Sequence, residues 1–455
     1  MSNISEDLRM AQMIAKKVDA LGGRSYFVGG YVRDEQMGIE NKDIDIEIHG
    51  IERSTLTAIL QELGELVETG ASFGVYGIKG YDLDIALPRK EKAVGKGHKD
   101  FEVLVDPFLG SKEAAIRRDF TINALMKDVV TGEIVDHFSG MEHLKDGILH
   151  YVNAETFAED PLRLLRGAQF AARFDFRLSN ETVELCKQMD TKTLTKERVL
   201  GEMKKALLKA DKPSIFFEEM KRMNQLSYWF EEVEKLDEIP QGPEHHMEGN
   251  VWVHTMMVLD RAAKCRDLVE DPLAFMLAAL CHDFGKIVAT EEKNGKIHAY
   301  GHEVKGLPLV KHFLGKLTSE KQMTDYILNM VRYHMKPHML SGARSAIKKT
   351  NLMFDESVDP WALILLSECD ARSSISGDGK PYNEEDKTFL VERYELYKEY
   401  MARPYVTGKD LIEAGLKPDK NFSDILAYAH KLRLAGVEKE VALRQAMAYA
   451  RKGKK

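Results

Sequence analysis

Cysteine is scarce in this sequence, with four among 455 residues. Cys186, Cys265, Cys281 and Cys369 are scattered without CxxC spacing. That excludes a disulfide framework or a cysteine-based zinc site as an organising feature and fits a reducing, cytoplasmic setting. Nowhere do about 18 apolar residues run together. The N-terminus, MSNISEDLRMAQM, carries acids where a signal peptide has an apolar core, so no membrane partner is expected. Surplus positive charge is also missing. A formal net charge of −8 excludes holding nucleic acid by overall charge, although a local basic surface suffices for phosphates. Repeats and low-complexity tracts are absent, apart from the short basic end Arg451-Lys452-Gly453-Lys454-Lys455, a frayed terminus or a minor RNA contact. No feature specifies an oligomeric state.

What is present is an ordinary globular composition, 44% hydrophobic and 30% charged, in a chain long enough for about three domains at roughly 150 residues each. Helical spacing runs over residues 4–21, with Leu8, Met10, Ile14, Val18 and Leu21 on one side and Gly22-Gly23 as the stop. Short apolar runs follow at Tyr26–Val28, Ile44–Ile48, Leu66-Val67, Val75–Lys79 and Leu83–Leu87, with a helical stretch near 54–63. These predict a small mixed sheet with helices packed on it. From about residue 154 strand signals almost vanish and amphipathic helices take over. Segment 233–250, with two prolines and two glycines, is the best linker candidate, and 373–383 is another loop.

The strongest local signal is Gly29-Gly30-Tyr31-Val32-Arg33-Asp34 followed by Asp43-Ile44-Asp45. Glycines between a strand and a helix let the backbone approach a phosphate at a helix N-terminus, and Arg33 is placed to pair with a triphosphate oxygen. Asp43 and Asp45 alternate on a strand, so their carboxylates share a face and suit Mg²⁺, which takes oxygen ligands and substrate phosphates. Two such ions would activate a hydroxyl and stabilise a leaving pyrophosphate. Taken singly, the glycines read as a turn and the acids as a solvated strand face. Asp84, placed between Leu83 and Ile85, favours a three-carboxylate cluster; Asp82 shares its face and competes for that place.

Two further runs join this set in order: Arg117-Arg118-Asp119-Phe120-Thr121-Ile122-Asn123-Ala124 and Glu159-Asp160-Pro161-Leu162-Arg163-Leu164-Leu165-Arg166. Over roughly residues 24–210 the chain resembles the class II CCA-adding enzyme and bacterial poly(A) polymerase family. The resemblance implies that Gly30, Arg33, Arg118, Asp119, Asp160, Arg163 and Arg166 bind nucleotide and that Asp43, Asp45 and Asp84 are catalytic. CTP, ATP and the tRNA 3′ acceptor end would be the partners. On a helix, Asp160 and Arg163 are neighbours and present an acceptor beside a fork of donors. That edge matches cytosine and adenine and opposes the carbonyl of guanine or uracil; an exposed salt bridge is the plain alternative. Arg166 would reach the phosphates, whereas Gln169 stands where some relatives have another arginine. The glycine-containing basic segment Pro88–Lys99 is expected to be a mobile loop, which the family uses in switching from C to A; composition alone equally allows a solvated loop. Arg198, Lys204, Lys205, Lys209 and Lys212 are candidate RNA contacts or a solvated face.

The second half contains His254, His282-Asp283-Phe284-Gly285-Lys286 and Asp370 among apolar helices. This set resembles the HD superfamily of metal-dependent phosphohydrolases, with His254, His282, Asp283 and Asp370 as ligands. Imidazole and carboxylate ligands suit a divalent transition ion. His302, His334 and His338 are candidates for a second metal or for substrate phosphate, the last two sharing a helix face unless Pro337 ends it. Some relatives with such a module hydrolyse 2′,3′-cyclic phosphates. The expected architecture is α+β: a polymerase-β-like nucleotidyltransferase α/β head at 1–150, an all-α neck with nucleotide-selecting and RNA-binding elements at 151–235, an all-α HD domain at 245–375 and a helical tail region at 384–455. Alternatives are an A-adding or poly(A) polymerase, and an RNA-binding HD phosphohydrolase with an inactive head.

Overall fold

Period-two alternation builds the N-terminal sheet. In the computed structural model, which describes residues 4–70, 74–93, 101–242, 246–375, 382–419 and 421–452, Ile44, Ile46 and Ile48 are buried on one face of their strand, as are Leu83 and Ile85 on theirs. The polar residues between them line the opposite face. The strands are β1 (Arg24–Val28), β2 (Ile44–His49), β3 (Leu66–Gly70), β4 (Val75–Ile78), β5 (Leu83–Ala86), β6 (Arg89–Ala93), β7 (Phe101–Val105), β8 (Met126–Asp128) and β9 (Ile134–Val135). Seven form one sheet in the order β3-β4-β5-β2-β1-β8-β9. Strands β2 and β5 are parallel, while the other pairings in this sheet are antiparallel.

Helix Ile4–Asp19 packs Met10, Ala11, Ile14, Ala15 and Val18 onto the sheet core, joined by Leu56, Ile59 and Leu60 of helix Arg53–Leu63. The first helix stops two residues earlier than its apolar spacing predicts: Leu21 lies beyond it and is exposed. Gly22, at φ +83°, adopts the left-handed turn that ends it. Part of the expected loop 88–99 is strand instead. Arg89–Ala93 forms an antiparallel ribbon with Phe101–Val105, because alternating charged residues can occupy a two-stranded edge as well as a loop. Residues 94–99 lie outside the described residues, as do 376–381 of the second expected loop and 453–455 of the basic end.

The chain divides into two units, Met1–Ala206 with Ile215–Tyr228, and Leu207–Ser214 with Trp229–Lys455. The division falls before segment 233–250, whose first part is helical, over Glu231–Lys235 and then Leu236–Glu238. The second unit is helical apart from a short hairpin, Glu291–Lys293 with Lys296–His298. Its core helices Val251–Ala263, Pro272–Cys281, Lys321–Tyr333 and Pro360–Ser373 begin from sequence-encoded caps in three cases. The side chains of Asn250, Asp271 and Asp359 accept the backbone N–H of Val253, Ala274 and Ala362, and proline follows both aspartates at the first helical position. Stretch Pro272–Ala289 is long and apolar enough to cross a membrane, yet 72% of it is buried inside the protein, so its apolarity serves the core. The last helices, Gly408–Glu413, Phe422–Leu434 and Lys439–Lys452, share a separate small core around Leu411, Ile425, Ala429, Ala446 and Ala450.

Candidate active sites in the head and in the helical unit

The parallel pairing of β2 and β5 sets Asp45 opposite Asp84, so both carboxylates rise from the polar face of neighbouring strands. Asp43 directly precedes β2 and is exposed, as is Asp84. Asp82 precedes β5 and its backbone N–H donates to Asp7; Asp84 is the residue that the register puts beside Asp45. Burial first, and then the charge of Asp84, push the Asp45 carboxyl up to about 6. A close pair of acids with this mutual strain fits a site for a divalent cation.

Glycine is required next to that pair. Gly29 has φ +69°, and a Cβ there would stand 3.1 Å from Arg118 Nη1 and 3.7 Å from Asp45 Oδ2. The turn therefore brings bare backbone against one acid and one guanidinium. Glu47, two residues beyond Asp45, is buried and anchors the cations: its Oε2 lies 3.2 Å from Arg117 Nη2 and 4.0 Å from Arg118 Nη2, and its Oε1 is 3.0 Å from His49 Nε2. Burial would raise the Glu47 carboxyl, but the His49 hydrogen bond and the two arginines hold it down to about 2. Glu47 was not among the sequence candidates. Its signal was the continued alternation Asp43-Ile44-Asp45-Ile46-Glu47.

Several expected phosphate or base contacts are instead engaged inside the head. Arg33 is buried, donates to Asp34 through Nε at 2.7 Å and to Asn123 Oδ1 through Nη1 at 2.6 Å, and stacks over Phe170 and Phe174. In this structure it braces the turn, because a guanidinium with two local acceptors and two aromatic faces gains from burial. Asp119 accepts the Asn123 amide and Arg166 Nε, at 2.9 and 2.7 Å, so in this structure Arg166 is paired with Asp119. Burial would raise Asp119, and the Arg166 charge and these hydrogen bonds lower it.

Asp160 lies just before the helix that carries Arg163, and its carbonyl accepts the Arg163 backbone N–H at 3.0 Å. The helix begins at Leu162, and Asp160, before it, accepts the Leu162 N–H and both hydrogen bonds of Arg198 Nη2, at 3.1 and 2.9 Å. Arg163 donates to the carbonyls of Thr156 and Arg117, at 3.0 and 2.6 Å. Pro161 explains the offset, since the residue before a proline is driven out of helical conformation. Arg198, a candidate RNA contact, is thus an internal partner of Asp160. Lys205 pairs with Glu202 at 2.8 Å.

The helical unit gathers its predicted ligands more completely. His254, His282 and Asp370 form one group and Asp283, His302 and His334 another, the ligand atoms in each lying within 4.8 Å of one another. The groups adjoin: His282 Nε2 is 3.3 Å from Asp283 Oδ2 and 3.9 Å from Asp370 Oδ1. His254 Nε2 is 3.0 Å from Asp370 Oδ1, and His302 Nε2 is 3.2 Å from Asp283 Oδ1. Gly285 permits this closure. A Cβ there would meet the His302 carbonyl oxygen at 1.9 Å, so only glycine lets the His302–Lys305 turn cross the His-Asp turn.

Three histidines orient themselves by one device. His282, His302 and His334 donate Nδ1–H to the carbonyls of Ala279, Ala299 and Val331, at 2.8, 2.9 and 2.6 Å, leaving each Nε2 lone pair inside the cluster. Nε2 of His302 and Nε2 of His334 then face each other at 3.2 Å, two lone pairs that a shared cation would reconcile. Among the described residues, buried His282 Nε2 has no hydrogen-bond partner. The donor set fits a divalent transition ion. Lys286 Nζ, 2.7 Å from Asp283 Oδ2, further fixes that carboxylate.

His338 does not join the cluster. Helix Lys321–Tyr333 ends at His334 and a new one, Met335–Gly342, follows, so the break falls at His334 itself, and Pro337 sits in the first turn of the second helix. His338 is exposed. Glu248, which the sequence reading passed over inside a supposed linker, accepts from His254 Nδ1 at 3.1 Å and contacts His246 Nδ1 at 2.7 Å. Its only sequence signal was an acid two residues before a helix cap.

Residues 25–150 match the family model described as the Poly A polymerase head domain, and residues 251–374 match the HD domain. The chain is 33% identical over 371 residues to the multifunctional CCA protein of Actinobacillus pleuropneumoniae, covering 78% of this chain and 87% of that one. It is 32% identical over 403 residues to that of Nitrosococcus oceani, covering 86% and 93%. The fold is shared with the CCA-adding enzyme of Thermotoga maritima complexed with tRNA (TM-score 0.65, 19% identity, 98% of each chain) and with that of Bacillus stearothermophilus in complex with CTP (TM-score 0.67, 19% identity, 98% of each chain).

Proposed function

The chain belongs to the multifunctional CCA protein family and is a nucleotidyltransferase, and on that premise we propose that it adds CCA to the 3′ end of tRNA from CTP and ATP without a nucleic-acid template. The observation that carries this reading is the in-register Asp45–Asp84 pair beside the Gly29 turn and Arg118. Asp45 and Asp84, with Asp43 at the strand entrance, would hold Mg²⁺, which when bound offsets triphosphate charge and favours ionisation of the tRNA 3′-hydroxyl. Arg118 is assigned to orient the triphosphate, and the negative charge of Glu47 and Asp45 favours its guanidinium beside the acids. Gly30 keeps the following helix turn close to that position.

Base choice is assigned to Asp160 and Arg163. Each is held by protein groups, so a base must replace Arg198 on Asp160 and the carbonyls on Arg163. Cytosine and adenine offer an amine to the carboxylate and a ring nitrogen to the guanidinium, whereas guanine and uracil set a carbonyl against the carboxylate. The test is extension of labelled tRNA lacking CCA, with Mg²⁺ and each nucleoside triphosphate singly and mixed. Two C residues with CTP alone, then one A with ATP, support the reading. A run of A alone moves the chain to an A-adding or poly(A) polymerase, and no extension under any mixture overturns it.

The helical unit is assigned a metal-dependent phosphohydrolase activity on 2′,3′-cyclic phosphates and related esters. Support comes from four histidines whose Nε2 atoms converge on Asp283 and Asp370. A transition ion there would supply an activated water and polarise a phosphate oxygen; His254, His282 and Asp370 would hold one ion, and Asp283, His302 and His334 could hold a second. The assay is hydrolysis of 2′,3′-cyclic AMP by metal-loaded protein. Asp283→Ala should abolish it, and retention of full activity would remove the assignment.

A further inference from the structure

His254 differs from the other three histidines of the cluster in how its ring is held. His282, His302 and His334 stand at helix ends or turns, and each donates Nδ1–H to the backbone carbonyl three residues earlier. His254 lies within helix Val251–Ala263, and the Asn250 carbonyl behind it already accepts the His254 backbone N–H. The partner of its Nδ1 comes from outside the helix: Glu248 Oε1, 3.1 Å away.

Glu248 is built in rather than adventitious. Its side chain is 1% exposed. Oε1 also contacts His246 Nδ1 at 2.7 Å, and Oε2 accepts the Ile375 backbone N–H at 2.8 Å. Ile375 follows helix Pro360–Ser373, which carries Asp370. One buried carboxylate thus ties the helix of His254 to the chain just beyond the helix of Asp370. These are the two residues whose ligand atoms meet at 3.0 Å.

We propose that Glu248 is a positioning residue of the metal centre: it takes the Nδ1–H of His254, commits the Nε2 lone pair to the ion and keeps that ring turned towards Asp370. This rests on reading the cluster as a metal site. A carboxylate, unlike a carbonyl, adds negative charge behind the imidazole and makes His254 a stronger donor than its three companions. The supposed linker is consequently part of the site it precedes.

The test uses the full-length protein, Co²⁺ as probe, its visible absorption band and competition with a chromophoric chelator. Glu248→Gln keeps the volume and one acceptor but loses the charge. It should bind Co²⁺ about 10–100-fold more weakly, as for other partners behind a metal-bound histidine, with a shifted band. Introduced into His254→Ala, it should cost nothing further, because its effect runs through that ring. If Glu248→Gln binds Co²⁺ like the wild type while Asp283→Ala binds none, the role of Glu248 is overturned and the metal site stands. Equal losses with and without His254 would likewise overturn it, by showing a general structural effect. Wild-type binding by Asp283→Ala would overturn both.

Discussion

The head and the helical unit each collect carboxylates around a prospective cation, but they finish the job to different degrees. In the head, Asp43 and Asp84 are exposed, every candidate ligand is an oxygen, and the neighbouring arginines are mostly engaged with protein acceptors. In the helical unit His254, His282 and His334 are fully buried, and each ring is already oriented by a hydrogen bond to its other nitrogen. A strand face supplies acids at two-residue spacing and leaves the remaining coordination to water and phosphate, which suits an ion that arrives with its substrate. Helix ends, a turn and one helix interior supply imidazoles from four separate segments and lock them, which suits a resident ion.

Metal removal should expose that contrast most sharply. After exhaustive chelation both activities should vanish. Mg²⁺ alone should restore CMP incorporation but leave cyclic phosphate hydrolysis absent until a transition ion is returned; recovery of both with Mg²⁺ would erase the distinction. Next in size, Asp45→Ala should lower CMP incorporation about 10³-fold, from a loss of about 4 kcal/mol of electrostatic stabilisation, while Co²⁺ binding by the helical unit stays unchanged. An incorporation rate close to wild type would remove Asp45 from the catalytic set.

Smaller effects test how the second centre is packed. Gly285→Ala forces a methyl against the His302 carbonyl and should cost about 1–3 kcal/mol in urea unfolding, together with weakened Co²⁺ binding. Normal affinity would mean that the turn relaxes without moving His302. His338→Ala should change neither metal affinity nor stability beyond about 0.5 kcal/mol. A clear loss of metal would show that His338 swings into the cluster.

How legible these sites were depended on the reach of each side chain. Asp45, Asp84, His282 and Asp283 were readable because short side chains stay where the backbone puts them, and period two or a helix end dictates that direction. In segment 233–250, proline and glycine mark irregular backbone without revealing what its side chains touch, so Glu248 went unnoticed there. The resting partners of the arginines left no local mark in the sequence. Arg33, Arg163 and Arg166 were expected to face substrate, yet each found acceptors inside the head. A long flexible cation goes to whichever acid or carbonyl the fold leaves unpaired, and local spacing carries no record of that choice.

Alternation along β2 and β5, the caps at Asn250, Asp271 and Asp359, and the ordered motifs were enough to dictate an α/β head, a helical second half and the residue types at both centres. Which groups became partners depended on packing between segments distant in the chain. Arg166 meets Asp119 across 47 positions, Arg198 meets Asp160 across 38, and His254 meets Asp370 across 116. Hydrogen-bond periodicity acts over a few residues, whereas ion pairing and metal geometry act through space, so the chemistry of these sites was settled where helices and strands came together.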